Sequence, residues 1–274
     1  MPAHDTDESP HHCGWSWDPS LYAGSAAHYV AGRMAYPSEL ATVLITELGL
    51  AGTSTLLDVG CGPGSLTLLL APSFARVIGV DADQEMVDQA TRQAAAHHVD
   101  NASWRCMRAE DLPADLPSVD VITFAQSFHW MDRPRVAAAA RRLLALGGAL
   151  VHVSATTHRG IASGEQDPPW DAITDLVETY LGPKRAVPGD SPGNEDEIYR
   201  AAGFDGPRDV ELPSRIVHRS ADDIVASVYS LSSSTPRLFG DRLPAFDREL
   251  RTLLRDAGGE FVELTRPIVL HVWR

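Results

Sequence analysis

Four short apolar runs punctuate the first 153 residues of the chain, at residues 55–59 (TLLDV), 76–80 (RVIGV), 119–124 (VDVITF) and 149–153 (ALVHV). Runs of that length, closed by glycine or polar residues, read as strands buried on both faces. A fifth strand is read at 103–107 (SWRCM). Between them the apolar residues recur every three or four positions, which predicts helices at 65–70, at 84–98 behind a capping Asp83, and at 136–146 before Gly147-Gly148. A further helix is predicted from residue 38 to 48, with Pro37 in its first turn and Gly49 near its end. Strand and helix alternating in this way specify a doubly wound α/β sheet with right-handed crossovers.

The rhythm breaks from about residue 156 to 194, where Pro168, Pro169, Pro183, Pro188 and Pro192 surround one amphipathic piece at 170–181. This segment reads as an insertion over the mouth of the sheet. The tail predicts a helix at 195–202, a strand at 210–218, helices at 221–231 and 243–257, and a last strand at 268–273. Pro213 and Pro267 belong at a sheet edge or a strand start. The expected division is an N-terminal cap (1–36), a cofactor-binding core (37–155), a lid (156–194) and a C-terminal part of the core with extra helices (195–274).

Composition narrows the classes. The 274 residues are 44% hydrophobic and 22% charged, as in ordinary globular proteins, with a formal net charge of −14. Strong binding of extended nucleic acid normally goes with the opposite sign, so a nucleic-acid partner is not expected. Cys13, Cys61 and Cys106 lack the spacing of a metal site or a disulfide framework, and the N-terminus lacks the basic flank and apolar run of a signal peptide. Without an apolar stretch of about eighteen residues, no membrane partner is expected either, and a cytoplasmic location follows. His11-His12 and His97-His98 read as solvated pairs, so no metal is expected.

The chemistry concentrates in residues 56–65, LLDVGCGPGS, a strand entering a helix through Gly60, Gly62 and Gly64. A dinucleotide fingerprint would place its third glycine where Ser65 stands, and no lysine follows as in a phosphate loop. What remains is a tight turn that lets a ligand approach backbone amides beside an acid, Asp58. That suits a ligand carrying both an amine and a carboxylate. Asp81 ends the next strand, where a ribose carboxylate belongs, although a helix cap is the alternative role for such an acid. Residues 108–113 (RAEDLP) can line an adenine pocket through Glu110 or Asp111, or be a charged turn.

Together LLDVGCGPGSLT, VIGVDADQEMVDQA, RAEDLP and VDVITFAQSFHWMD resemble the successive motifs of class I S-adenosylmethionine-dependent methyltransferases. AQSFHWMD is similar to the type 11, trans-aconitate methyltransferase-like branch acting on small molecules. The resemblance implies a Rossmann-like seven-stranded sheet with its last strand antiparallel, and S-adenosyl-L-methionine as cofactor. It implies that Asp58, Gly60, Gly62 and Gly64 hold the methionine part, with Arg33 reaching its carboxylate. Asp81, Ala82 and Met86 would serve the ribose and adenine edge, Ala109 and Glu110 the adenine, and Ala125 the sulfonium side.

Methyl transfer from a sulfonium is an in-line displacement that mainly requires alignment in a dry site. The expected substrate residues are Tyr29, Gln126, His129, Trp130 and Trp170. His129 is the candidate base for a hydroxyl acceptor, or else a packed wall residue. Trp15, Trp17, Tyr22 and Phe128 join the aromatics expected near the cleft, each with core packing as its ordinary job. The expected function is methylation of a small metabolite in secondary metabolism, with oxygen as acceptor. The alternatives are carbon or nitrogen methylation, with or without cyclisation, and a non-catalytic nucleoside-binding module.

Overall fold

The computed structural model describes residues 18, 20–164, 166–183 and 194–274. Its elements run in the order α1 (Ala26–Gly32), α2 (Glu39–Leu48), β1 (Thr55–Val59), α3 (Ser65–Leu70), β2 (Arg76–Asp81), α4 (Gln84–Ala96), β3 (Ala102–Cys106), β4 (Val119–Ala125) and α5 (Arg133–Leu143). They continue with β5 (Leu144–Ser154), α6 (Trp170–Leu181), α7 (Glu195–Ala201), β6 (Arg208–Leu212), β7 (Ile216–Ser220), α8 (Ala221–Tyr229), α9 (Pro236–Phe239), α10 (Leu243–Asp256), β8 (Glu260–Leu264) and β9 (Ile268–Trp273).

The main sheet has seven strands among the described residues, in the order β3-β2-β1-β4-β5-β9-β6. Strands β1 to β5 are parallel and β9 runs antiparallel to both its neighbours. Leu56, Leu57, Val59, Val121 and Ile122 are fully buried, because a central parallel strand is covered by helices on both faces. Phe124, Phe128, Tyr199 and Trp273 pack on one face, and Leu40, Leu44, Leu70 and Val151 on the other. Asp83 caps α4 as its sequence position predicts, accepting the amides of Glu85 and Met86.

Two predicted boundaries are corrected. The helix expected at 136–146, opening with Asp132 and Pro134, has Asp132 as its cap and Pro134 in its first turn, but it ends at Leu143, where β5 takes over. The strand expected at 210–218 is two strands in two sheets: β6 closes the main sheet, while β7 pairs with β8 in a separate two-stranded sheet. Pro213 lies between them, where its missing N–H interrupts the ladder. The strand β8 is absent from the sequence reading.

A third apolar cluster forms a cap from α6, α8, α9, α10 and β8, with Ile173, Ile224, Phe239, Phe246, Leu250 and Phe261 at its centre. Helix α1 packs on α8. The amphipathic piece of the expected lid, α6, is therefore seated on C-terminal helices. No helix among the described residues is long and apolar enough to cross a membrane.

Candidate cofactor and acceptor site

The open side of the sheet, at the C-terminal ends of β1, β2 and β4, faces α1 and the segment before it, and two adjoining cavities fill the gap. Both touch Tyr29, Gly60, Gly62, Ala125 and Gln126. Such a crevice at the strand ends is where open α/β sheets bind ligands.

The three glycines of the loop do different work. All have positive φ, at +70° for Gly60, +53° for Gly62 and +84° for Gly64. A Cβ on Gly60 would lie 2.4 Å from the Ser127 Cβ, and one on Gly64 would lie 2.7 Å from the Trp104 ring. A Cβ on Gly62 would meet nothing within 4 Å. Gly60 and Gly64 thus seat the loop against β4 and β3, and Gly62 faces the open cleft. Asp58 lies under the loop at 1% exposure, accepting the hydroxyls of Thr67 at 2.6 Å and Thr123 at 2.8 Å. Burial pushes its carboxyl up, against the pull of those hydroxyls.

The first cavity is lined by Val80, Asp81, Ala82, Met86, Met107 and Ala109, with Arg108, Glu110 and Met131 at its side. Asp81 Oδ2 accepts the Gly62 amide at 2.8 Å and Oδ1 the Asp83 amide at 2.9 Å. Burial raises its carboxyl to about 6 although both amides favour the charged form. Of the two acids left open by the sequence, Glu110 lines the cavity and Asp111 is exposed. Burial opposes the charge of Glu110, but the Asp132 amide at 2.9 Å and the Arg108 guanidinium at 3.2 Å prevail and hold its carboxyl below the usual range.

The second cavity begins at Asp58, Cys61 and Gly62 and extends past Arg33, Tyr36 and Thr157. Arg33 is fixed by hydrogen bonds from Nε to the Ser230 hydroxyl (2.8 Å) and from Nη2 to the Ser230 carbonyl (3.1 Å), and its guanidinium lies 4.4 Å from the Tyr29 ring centroid. Gln126, just beyond β4, has φ +56°, a strained value for a residue with a side chain. Its Nε2 donates to the Tyr36 hydroxyl at 2.9 Å and the Thr157 hydroxyl at 3.2 Å. Tyr22 and Trp130 close the cleft from opposite sides, edge to face at 6.3 Å between centroids. Burial, reinforced by the nearby Tyr29, raises the Tyr22 phenol well above its ordinary range, so it stays neutral.

The cleft thus gathers Arg33, Asp58, Gly60, Gly62, Asp81, Ala82, Met86, Ala109, Glu110, Ala125, Tyr29, Gln126 and Trp130. Three expected site residues lie outside the lining of both cavities: His129, Trp170 and Gly64, the last of which packs on Trp104. His129 is not among the residues lining either cavity; it sits in the 3-10 turn Phe128–Trp130, beside Trp130 and close enough to His152 to affect its charge. Trp170 lies at the start of α6 by a separate depression, with its indole N–H donating to Glu263 at 2.8 Å. Trp15, Trp17, Cys13 and His11-His12 fall outside the described residues. No group of three or more metal-ligating side chains occurs among the described residues. Residues the sequence reading left out are Tyr36, Met107, Ser127, Met131 and Thr157. Ser127 and Met131 lie within the motif VDVITFAQSFHWMD and Met107 within the strand SWRCM, whereas Thr157 carries no local signal.

An apolar slot with methionines suits a flat base, a carboxylate with free lone pairs suits a vicinal diol, and a held guanidinium suits a carboxylate. These residues fit an adenosine bearing an amino acid. Residues 56–148 match the family model described as a methyltransferase domain, and the fold and site are similar to those of class I S-adenosylmethionine-dependent methyltransferases. An uncharacterized methyltransferase of Mycobacterium tuberculosis is 37% identical over 134 residues, covering 48% of this chain and 51% of the relative. A tRNA (uracil-5-)-methyltransferase homolog A of Mus musculus is 37% identical over 107 residues, covering 39% of this chain and 17% of the relative. The chain therefore spans about half or less of the length of these curated relatives. Among solved structures, a putative type II methyltransferase from Anaeromyxobacter dehalogenans superposes with a TM-score of 0.53 at 27% identity, covering 88% of this chain and 97% of that one.

Proposed function

We propose that the protein transfers a methyl group from S-adenosylmethionine to an oxygen of a small-molecule metabolite. The observation that carries this reading is the continuity of the cleft: the pocket of Asp81 and Glu110 joins, through Gly62 and Ala125, a second cavity bordered by Gln126, Tyr36 and Thr157. When bound, the cofactor supplies an electrophilic methyl on a positively charged sulfur. Asp81 accepts the ribose hydroxyls, Met86 and Ala109 flank the base, and Arg33 meets the methionine carboxylate. Tyr22 and Trp130, which line the cleft, exclude water from it.

On the acceptor side, the Tyr36 and Thr157 hydroxyls orient the Gln126 amide, whose oxygen takes the Thr157 hydroxyl at 3.5 Å and keeps a second lone pair for an O–H of the acceptor. The methyl–oxygen bond would form as the methyl–sulfur bond breaks, leaving S-adenosylhomocysteine, with the hydroxyl proton passing to solvent as the product departs, so alignment and desolvation need no imidazole at this position. A metabolite acceptor is favoured over RNA by the net charge of −14, because RNA binding draws on Lys and Arg contacts to phosphate. The test is incubation with S-adenosylmethionine labelled in its methyl group, together with a small-metabolite extract and, separately, bulk tRNA. Label in a small organic product supports the reading; label only in tRNA, or in neither, refutes it.

A further inference from the structure

Away from the cleft, Arg219 at the end of β7 and Glu263 in β8 form an ion pair at 2.9 Å, with side-chain exposures of 5% and 2%. Arg219 also donates to three backbone carbonyls: Gly32 at 2.6 Å, Asp223 at 3.0 Å and His158 at 3.1 Å. The other oxygen of Glu263 accepts the Gly160 amide at 2.9 Å and the Trp170 indole at 2.8 Å. One buried pair thus ties the end of α1, the loop after β5, the start of α6 and the start of α8.

Stability alone is a weak reason for such a pair, since well-packed apolar residues commonly serve as well, and fixing one arrangement is the better-attested use. What this pair fixes borders the cleft. Gly32 immediately precedes Arg33, and α1 approaches α8 there so closely that a Cβ would lie 2.1 Å from the Ser227 nitrogen. The Ser227 hydroxyl holds the same His158 carbonyl at 2.6 Å, and the His158 ring nitrogen Nδ1 lies 3.4 Å from Arg33 Nη1. Ser230, which receives the Arg33 guanidinium, follows α8. Backbone and side chain of Arg33 are both held by segments that the pair anchors.

We propose that Arg219 and Glu263 are positioning residues for Arg33, holding its guanidinium ready for the carboxylate of the cofactor's methionine part. The proposal rests on the reading of Arg33 given above. A guanidinium fixed before binding loses less rotamer freedom when it meets its partner, so the pair acts on affinity for the carboxylate and not on the adenosine pocket.

Calorimetry with two probes separates these effects. S-adenosylhomocysteine carries the amino-acid carboxylate, and 5′-methylthioadenosine keeps the adenosine and thioether without it. Arg33→Ala and Glu263→Gln should each weaken S-adenosylhomocysteine about tenfold while moving methylthioadenosine by less than about twofold, the loss of one charge-assisted contact. The double variant should lose no more than Arg33→Ala alone, because both changes remove the same contact. If Glu263→Gln shows no cooperative melt, Trp170→Phe, which deprives Glu263 of one donor, takes its place, with a selective loss of about threefold expected.

Equal loss of both probes, or of neither, in the Glu263 or Trp170 variant overturns the proposal when Arg33→Ala is selective. Non-selective loss in Arg33→Ala overturns it together with the role of Arg33. Failure of the parent protein to bind either probe refutes the cofactor reading itself.

Discussion

Asp81 accepts the amide of Gly62 at 2.8 Å, so the acid that ends β2 and the loop that follows β1 are one hydrogen-bonded unit. Its second oxygen holds the Asp83 amide. A carboxylate offers about four lone-pair positions, so one remains on each oxygen for a vicinal diol.

Binding of the ribose requires Asp81 ionised, and burial has raised its carboxyl to about 6. The ligand favours the charged form, so affinity from this group is complete above that value and is lost as pH falls through it. S-adenosylhomocysteine affinity measured by calorimetry should be flat above about pH 7 and fall about tenfold per pH unit below about 6. Asp81→Asn should lower affinity above about pH 6, where the parent carboxyl is charged, and remove the dependence.

The loop glycines should separate on substitution. Gly60→Ala combines positive φ with a Cβ 2.4 Å from that of Ser127, and should lower the melting temperature sharply. Gly62→Ala has open space and should cost only about 1–2 kcal/mol of backbone strain while weakening the cofactor analogue selectively. Thermal melts with and without S-adenosylhomocysteine check both. Similar behaviour of the two variants would contradict the division of labour between these residues.

His129→Ala should leave S-adenosylhomocysteine affinity within about twofold and turnover within about threefold, since a general base typically contributes a hundredfold or more. Turnover is measured with whichever acceptor takes up label. A hundredfold loss at unchanged affinity would return the imidazole to the reaction.

His152 receives or donates a hydrogen bond at 3.0 Å with the Tyr199 hydroxyl, and burial, then the neighbouring His271, pushes its imidazole from 6.5 down to about 4. The ring stays neutral in the fold while the unfolded chain takes up a proton. Its contribution is complete above about 6.5 and is lost as pH falls from there toward about 4. His152→Phe gives up about 1 kcal/mol of hydrogen bonding at any pH, yet its melting temperature should drop less than the parent's between about pH 7 and pH 5. Parallel drops would remove His152 from the acid response.

The central sheet and the nucleoside half of the site were legible because their signals are local: apolar runs closed by glycines, with an acid at the next strand end. The acceptor half was less so. Gln126, Tyr36 and Thr157 come from three distant segments and meet only in the fold. In the turn Phe128–Trp130, consecutive side chains point about 120° apart, so sequence order does not tell which of three rings faces the cleft. Trp130 does, and His129 does not. Trp170 looked like a cleft aromatic because its partner, Glu263, is far away in the chain. The merged strand at 210–218 failed for the same reason: only the long-range pairing of β7 with β8 shows that Pro213 divides two sheets.

That division has a consequence for how the molecule can be altered. Leu212 and Ile268 are paired neighbours on adjacent strands, so everything from 213 to 267 leaves and re-enters the main sheet at one point. The excursion carries α8 and Ser230, and nothing in it contributes a strand to the nucleoside platform. A different excursion could be spliced at the same two ends, changing what backs α1 and Arg33 while the floor keeps its grip on adenosine.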